Sequence, residues 1–337
     1  MHLTRACNRQ CVYCYLSAGE PIQGELTTRE WLACWRDIVQ LRPGKVVLTG
    51  GEPLLRPDLM ELIAGLRSAD TRRTLRVALN TNGVLLAETV AEELAPLVDE
   101  VRVSVDAMRG RNDELRGEGS FDAAVRALRI LRETGIEAHA MVALSRHAIP
   151  DLAQLLELLA DLGVKRTHLH VQRSVGRAAS RPDLQISAEQ ASGIVHGALV
   201  SAARGADRHQ WLRRIVPSNC GAGSYVNIMP DGEVFPCHVL TGQESHCGNI
   251  RRSSIADICG PLGLIARLRS LDFREIATTY PELECLADAH SCLGEVLSRS
   301  RERAVWGRLL GTHGFPPIAP AECPGATRTG RPQERPR

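Results

Sequence analysis

The chain has 337 residues, about twice the length of a typical single domain, so it is too long for a peptide or a lone zinc finger. Hydrophobic residues make up 44% and charged residues 24%, which excludes disorder over most of the chain. Lysine and arginine total 41 against 39 acidic residues, so the net charge of +2 provides no basic field for nucleic acid or an anionic membrane.

Through residue 203 the chain alternates short β-branched runs with amphipathic helical patterns. Leu3-Thr4 adds a truncated first strand, so the pattern predicts six βα units and a parallel sheet, open or curled into part of a barrel. The later predicted strands are Lys45 to Thr49, Leu75 to Asn80, Val101 to Val105, Glu137 to Leu144 and Arg166 to Gln172. The predicted helices are Thr27 or Thr28 to about Leu41, Asp58 to Arg67, Ala87 to Leu97, Phe121 to Glu133, Leu152 to Leu162 and Ala188 to Ala202, the last with a capping-box pattern of Ser187 and Gln190.

The sequence pattern changes near Asn219. Alternating residues on either side of Met229-Pro230-Asp231-Gly232 predict a β-hairpin, because Pro-Asp-Gly favours a tight turn. Helical pieces begin at Ser253 and Leu262, and the end from about Gly311 is rich in Pro, Gly and Arg. We therefore predict a first domain over residues 1–205, a small α+β hairpin-containing domain over 215–300 and a flexible tail over 311–337.

Eleven cysteines occur in a chain that opens without a basic and apolar leader. The sequence also contains no apolar run of 18 or more residues that would span a bilayer. Because disulfide frameworks belong to secreted proteins, these observations predict a cytoplasmic protein whose thiols are buried, reactive or bound to metal.

Cys7, Cys11 and Cys14 fall in a loop directly after the first predicted strand. Their spacing brings three thiolates within reach of one metal centre and leaves a fourth ligand position open. Structural zinc usually takes four protein ligands, whereas a [4Fe–4S] cluster can keep three irons on cysteine and offer the fourth to a substrate. The alternative is a zinc loop or an accidental cluster.

Two motifs carry a resemblance to a known family. The segment from Leu3 to Tyr15, with Tyr13 before the last cysteine, resembles the signature of radical S-adenosylmethionine (radical SAM) enzymes. Gly50-Gly51-Glu52-Pro53, directly after a strand, resembles the GGE motif of that family. Glycines let the backbone approach a ligand closely, and a carboxylate beside them suits a cation.

The resemblance implies a partial (βα)6 TIM-type barrel whose cluster binds S-adenosylmethionine. Cleavage of this cofactor then gives a 5′-deoxyadenosyl radical that abstracts hydrogen. The implied cluster ligands are Cys7, Cys11 and Cys14, and the implied cofactor contacts are Tyr13, Gly50, Gly51, Glu52, Asn80 and Ser104. Polar residues at strand ends, including Ser104-Val105-Asp106, otherwise make turns and caps.

Other residues are candidate substrate contacts. Arg177, in a Gly-Arg pair after the last predicted strand, could clamp a carboxylate or be solvated. His168, His170 and Gln172 share one strand face by period two and could line the barrel interior, as could His139. A satisfied core histidine is the alternative at each position.

The later cysteines resemble the shortened, twitch-like form of the SPASM extension of radical SAM enzymes, which holds an auxiliary iron–sulfur cluster. A full SPASM domain carries seven cysteines, and the spacing here supplies four. The resemblance therefore implies one auxiliary [4Fe–4S] cluster on Cys220, Cys237, Cys285 and Cys292. Cys247 could substitute for one ligand, whereas Cys34 lies in an amphipathic helix and is expected to pack.

These features predict a radical SAM enzyme of oxidoreductase or lyase type, with a reductant such as flavodoxin or ferredoxin as its partner. No leader-binding domain precedes Cys7 and the cluster region is short, so we expect a small polar natural-product intermediate as substrate. A sugar, aminocyclitol or nucleoside would fit, as in antibiotic biosynthesis by enzymes of the aminocyclitol dehydrogenase or cytosylglucuronate decarboxylase type. Oxidation, decarboxylation or epimerisation would follow.

Two other readings stay open. The chain could be a maturase that modifies a ribosomally made peptide. It could also be an iron–sulfur electron carrier, although a carrier needs neither a glycine-rich cofactor loop nor six βα units.

Overall fold

A computed structural model describes residues 1–186, 190, 215–217, 225–239, 241–242 and 245–269. Its main feature is a parallel sheet of six strands, hydrogen-bonded in chain order and curled into a half-barrel. Because every neighbouring pair is parallel, the carboxyl ends of all strands meet at one edge. The strands are β1 (Lys45–Leu48), β2 (Arg76–Thr81), β3 (Glu100–Ser104), β4 (Glu137–Leu144), β5 (Arg166–Val171) and β6 (Ile215–Pro217).

Helices cover the outer face of the sheet, and five strands and five helices agree with the predicted pattern. The helix α1 begins with the capping box formed by Thr27 and Glu30, as expected. One helix, α4, was not predicted, because its sequence is almost entirely polar and lacks an apolar stripe. The helices are α1 (Thr28–Gln40), α2 (Leu59–Ala69), α3 (Glu88–Leu94), α4 (Arg109–Arg116), α5 (Ser120–Thr134) and α6 (Leu152–Asp161).

The expected first strand, Leu3-Thr4, is reduced to a single parallel bridge between His2 and Thr49. The segment lies between β1 and the later hairpin: the Leu3 amide donates to Thr49 O at 2.8 Å, and the His2 amide donates to Ile228 O at 2.8 Å. Pairing stops there because the chain turns into the cysteine loop. The sixth strand comes instead from β6, which is only three residues long and carries no periodic signal.

The predicted hairpin is confirmed. Strands β7 (Asn227–Ile228) and β8 (Glu233–Phe235) are antiparallel and joined by a turn in which Gly232 has φ +88°. A third strand, β9 (Gly248–Asn249), pairs with β8, and two short helices follow, α7 (Ile255–Ile258) and α8 (Leu264–Arg269). The hairpin docks on the start of the chain, where His2 Nε2 lies 2.8 Å from Asn227 Oδ1.

The two faces of the sheet differ in character. On β5, Thr167, Leu169 and Val171 are buried against the helices, whereas His168 and His170 point into the half-barrel and are partly exposed. The outer core also contains Trp31 and Trp35, stacked with ring centroids 5.0 Å apart, and the buried thiol of Cys34 packs there as expected. The inner face, or lumen, is therefore left for polar side chains.

A buried carboxylate closes the floor of the lumen at the amino ends of the strands. Glu100 is 1% exposed and accepts hydrogen bonds from Lys45 at 2.9 Å, Arg102 Nε at 2.8 Å and Arg76 at 3.1 Å. Burial alone would raise the pKa of Glu100, but the Lys45 hydrogen bond and the Arg102 charge outweigh it and hold the pKa at about 2.

Several predictions fall on residues outside those described: the helix Ala188 to Ala202 with its capping box, the tail over 311–337, and Cys220, Cys285 and Cys292. The domain limits at 205, 215 and 300 stay predictions for the same reason. Among the described residues, none of the helices has the length and apolar character needed to cross a bilayer.

We expect Glu100→Gln to lower the free energy of unfolding by about 3 kcal/mol at pH 7, because it leaves the three cations of the floor without their shared carboxylate. The pKa of Glu100 is depressed from 4.5 to about 2, so its stabilisation is present above pH 4.5 and is lost as the pH falls towards 2. Urea unfolding at pH 7, 5 and 3 measures both effects. The exposed Glu93→Gln is the control, and equal stability of the two variants at pH 7 would contradict the account.

Candidate active site

The cysteine loop follows the bridge at His2 and lies at the carboxyl edge of the sheet. It is shaped by short backbone contacts: the Cys7 amide donates to Gly19 O at 2.7 Å, and the Cys14 amide donates to Cys11 O at 3.2 Å. The three thiols are partly exposed and close enough to interact. Burial, then the charge of Glu52 and the other two cysteines, raises the pKa of Cys7 to about 11, and burial also raises the pKa of Cys11.

Arg177 fastens this loop from the far end of the sheet. Its Nε donates to Cys11 O at 2.8 Å, its Nη1 donates to Ala18 O at 2.8 Å, and its backbone amide donates to Cys14 O at 3.0 Å. A Cβ on Gly176 would clash with the carbonyls of Cys14 and Tyr15, so this approach requires glycine. Arg177 is therefore not solvated: its Nε and Nη1 are bound to the cysteine loop, and its Nη2 is buried with no hydrogen-bond partner among the described residues.

The GGE motif holds the amino side of the same loop. The Gly51 amide donates to Thr4 O at 2.8 Å and the Glu52 amide donates to Ala6 O at 2.8 Å. A Cβ on Gly50 or Gly51 would clash with these same carbonyls. The two glycines therefore let two chain segments approach, which is a second reason for glycine besides the approach of a ligand.

Glu52 is fully buried and binds the next strand. Its carboxylate accepts hydrogen bonds from Thr81 Oγ1 at 2.8 Å, the Asn82 amide at 2.7 Å and the Leu54 amide at 3.2 Å. Burial raises the pKa of Glu52 to about 7 despite these hydrogen bonds. A cation bound beside the carboxyl would favour its ionised form, so the position suits an ammonium group.

A second buried carboxylate, Asp106, lies at the end of β3. It accepts two hydrogen bonds from Arg116, at 2.6 and 2.9 Å, one from the Ala143 amide at 2.8 Å and one from the Tyr13 hydroxyl. The Arg116 guanidinium also lies 5.5 Å from the centre of the Tyr13 ring. Tyr13 thus anchors the cysteine loop from below through its hydroxyl and its ring.

The predicted contacts Asn80 and Ser104 lie on the inner face of β2 and β3. Asn80 Nδ2 donates to Thr49 Oγ1 at 3.4 Å, whereas Asn80 Oδ1 is buried and finds no hydrogen-bond partner in the described part of the chain. Ser104 is partly exposed beside it and pairs in register with Met141 of β4. Unlike Tyr13, both side chains therefore keep polar atoms available to a ligand in the lumen.

The lumen histidines fall into two groups. His139 is satisfied, because its ring nitrogens lie 2.7 Å from Glu137 Oε1 and 3.0 Å from His168 Nε2. His170 stacks with His168 at 6.4 Å between ring centroids, but its Nε2 is buried and no described residue bonds to it. Burial lowers the pKa of His168 to about 3 and that of His170 to about 4, so both rings are neutral at pH 7.

One of the four predicted auxiliary ligands, Cys237, lies in the described residues, buried just after β8. The neighbouring His238 ring contacts the Tyr15 ring at 5.4 Å between centroids, so the hairpin reaches the cysteine loop. Cys247 interacts with Cys259, and burial followed by that interaction raises the pKa of Cys247 to about 12. Cys247 Sγ donates to Ser245 O at 3.4 Å, and both cysteines pack against the hydrophobic core.

The sequence did not identify Arg116 or the binding role of Arg177. The Arg116 side chain bonds to Asp106, 10 residues earlier in the chain. The Arg177 side chain bonds to Cys11 O, 166 residues earlier. The Gly176-Arg177 pair itself was the available signal. For Arg116 the sequence offered none, because the polar helix α4 has no pattern that separates it from a loop.

Two family models match the chain. A model described as the radical SAM superfamily matches residues 1–159, and one described as an iron–sulfur cluster-binding domain, SPASM, matches residues 220–285. The first covers the half-barrel through α6 and the second contains the hairpin.

Sequence relatives match most of the described chain. The chain is 31% identical over 192 residues to Fe-coproporphyrin III synthase of Methanosarcina barkeri, covering 56% of this chain and 47% of that protein. It is 30% identical over 292 residues to PqqA peptide cyclase of Granulibacter bethesdensis, covering 80% of this chain and 75% of that protein. The chain therefore spans about half the length of the first relative and three quarters of the second.

A solved structure shares the fold. Streptococcus suis SuiB, bound to precursor peptide SuiA, gives a TM-score of 0.69 over 89% of this chain and 72% of that chain. At 14% sequence identity, the likeness shows the fold alone.

We expect Arg177→Lys to weaken the cysteine loop, because lysine cannot bond to Cys11 O and Ala18 O with one rigid fork. The free energy of unfolding should fall by about 2 kcal/mol, and a chelator should remove iron from the reconstituted protein faster. The control is Arg181→Lys, whose arginine pairs with Asp183 at the surface. Equal rates of iron loss in the two variants would show that Arg177 does not hold the loop.

Proposed function

This chain belongs to the radical SAM superfamily, with a SPASM-type domain after the half-barrel, and we propose that it abstracts hydrogen from a peptide. Its cofactors are S-adenosylmethionine and [4Fe–4S] clusters of the radical-generating and auxiliary kinds. When bound, the first cluster and S-adenosylmethionine supply a 5′-deoxyadenosyl radical as the hydrogen-abstracting group.

In this proposal Cys7, Cys11 and Cys14 hold the radical-generating cluster. These three thiols fit a metal site. Burial and the neighbouring thiols raise the pKa of Cys7 and Cys11, so both would lose their protons beside a positive metal centre that neutralises the thiolates. The backbone carbonyls of the cysteine loop already accept hydrogen bonds from Arg177 and from the GGE backbone. Its geometry is therefore set by the fold before iron is bound.

The proposed cofactor contacts divide by what they already bind. Glu52 would face the ammonium group of S-adenosylmethionine, because burial holds its pKa near 7 and a cation would ionise it. Asn80 and Ser104 would bind polar groups of the cofactor from the inner face, and the unpartnered Asn80 Oδ1 supports this. Tyr13, Gly50 and Gly51 would act mainly by holding the loop and the Glu52 backbone in place.

The auxiliary cluster is proposed on Cys220, Cys237, Cys285 and Cys292. The position of Cys237 supports this: it follows β8 and precedes His238, which contacts the cysteine loop through Tyr15. The alternative ligand is Cys247, which lies close enough to Cys259 for their charges to interact.

The observation that carries the peptide substrate is the 30% identity to a peptide cyclase, three quarters of which this chain covers. The same fold also admits a peptide in SuiB. The expected small polar natural product loses its basis, since neither relative named above is an enzyme of sugars, aminocyclitols or nucleosides. The expectation relied on the length of the cluster region and on the start of the sequence, and neither feature reports on the lumen that receives the substrate.

A second candidate substrate is a porphyrin, because Fe-coproporphyrin III synthase is 31% identical over a shorter stretch. Porphyrin side chains carry carboxylates, so a porphyrin enzyme needs free cations in its site. The lumen arginine Arg102 is bound to Glu100. Arg177 donates to the cysteine loop through Nε and Nη1, whereas its Nη2 is buried with no partner among the described residues. The peptide is the first candidate because the peptide cyclase matches a larger share of both chains than the porphyrin enzyme does.

Deuterium transfer tests the proposal. We expect the anaerobically reconstituted, reduced chain to form deuterated 5′-deoxyadenosine with precursor peptides that are encoded beside its gene and labelled at Cα and Cβ. Label that returns to the peptide product would indicate a redox-neutral reaction. Cys14→Ala should abolish transfer, and the buried Cys34→Ala should retain it. Transfer only from deuterated Fe-coproporphyrin III or from a ring-deuterated aminocyclitol would contradict the peptide substrate.

A further inference from the structure

The upper lumen contains polar atoms that the fold does not satisfy. On the inner face of β5 and just beyond it, His170 Nε2 and both polar side-chain atoms of Gln172, Oε1 and Nε2, are buried and have no hydrogen-bond partner among the described residues. Gln172 is 6% exposed, and its backbone amide continues the sheet by donating to Leu144 O at 2.9 Å. Because both amide atoms lack partners, rotating the amide by 180° satisfies neither.

Such atoms are costly to bury, and the fold avoids that cost at the lower levels of the lumen. At the floor, Glu100 is saturated by Lys45, Arg76 and Arg102. One level higher, His139 bridges Glu137 and His168. Unused hydrogen-bonding capacity on β5 is therefore confined to its carboxyl end, the edge where ligands bind in parallel half-barrels.

The unsatisfied groups are uncharged and present both a donor and an acceptor. Gln172 offers an N–H group and a carbonyl, and burial keeps His170 neutral with a pKa of about 4. A carboxylate would use only the donors, and a cation would use only the acceptor. Successive amides of an extended peptide, which present an N–H and a C=O on the same side of the chain, use both atoms of the Gln172 carboxamide at once.

We propose that Gln172, supported by His170, is a recognition site for a backbone amide of the peptide substrate. This inference rests on the peptide substrate proposed above and names the residues that would bind its backbone. The site lies beside both cysteine regions: His170 interacts with His238 after Cys237, and the His238 ring contacts Tyr15 after Cys14. A peptide held there would present its neighbouring C–H bonds to the cofactor edge of the lumen.

The first test asks whether Gln172 has a structural role. Gln172→Met keeps the side-chain length and removes the unsatisfied amide, so the thermal midpoint of the reconstituted full chain should stay equal or rise. The matched control is Gln154→Met on the exposed face of α6. A fall of several degrees in Gln172→Met alone would show that the amide serves the fold, and would overturn the proposal.

The second test measures recognition without catalysis. Frontal chromatography on the immobilised reconstituted chain compares N-acetylglycine N-methylamide with N-acetylglycine methyl ester, which lacks one amide N–H. The parent and Gln154→Met should retain the amide about 2- to 12-fold more strongly, the range of one neutral hydrogen bond. Gln172→Met and Gln172→Glu should retain both probes equally. Equal retention by the parent, or a preference that survives in Gln172→Met, would overturn the proposal.

A third measurement separates the amide from the adenine of S-adenosylmethionine, which also carries a donor beside an acceptor. Parent and Gln172→Met should bind S-adenosylmethionine within twofold of each other. A loss above tenfold in the variant would assign Gln172 to adenine and overturn the amide proposal. None of these measurements requires hydrogen abstraction, so their failure is distinct from failure of deuterium transfer.

Discussion

The hydrogen bonds to the backbone carbonyls of the cysteine loop are the interaction on which the rest of the site depends. The loop has almost no regular structure of its own, so its shape comes from distant donors. Arg177 binds Cys11 O and Ala18 O, and the GGE backbone binds Thr4 O and Ala6 O. These contacts join the first and last parts of the half-barrel through the loop, so a change at either end alters the spacing of the thiols.

Two buried carboxylates extend this constraint into the sheet. Glu52 connects the end of β1 to the end of β2, and Asp106 connects the end of β3 to β4 and, through Arg116 and Tyr13, to the loop. Both occupy strand ends, where a cofactor would lie, and both are nearly saturated by the chain itself. Further hydrogen-bonding capacity lies at Asn80, His170, Gln172 and Arg177, each of which has a buried polar atom with no partner among the described residues.

Much of the fold and part of the site followed from the sequence. Five strands matched within one residue because their apolar alternation is strong, and the turn around Gly232 followed from Pro-Asp-Gly. The polar helix α4 and the three-residue β6 carry no such periodicity. The expected strand at Leu3-Thr4 is reduced to the single bridge between His2 and Thr49. Side-chain bonds to remote carbonyls, as at Arg177, and the saturation of Tyr13 by Asp106 depend on tertiary placement that local patterns do not encode.

The central claim is that the cysteine loop holds a cluster with one iron open to S-adenosylmethionine, separate from the cluster near Cys237. Electron paramagnetic resonance of the reduced chain with S-adenosylmethionine labelled with oxygen-17 in its carboxylate tests this directly. We expect hyperfine coupling to the label in the parent and in Cys237→Ala, and its loss in Cys14→Ala. Coupling that is absent from the parent, or that disappears in Cys237→Ala but persists in Cys14→Ala, would contradict the account.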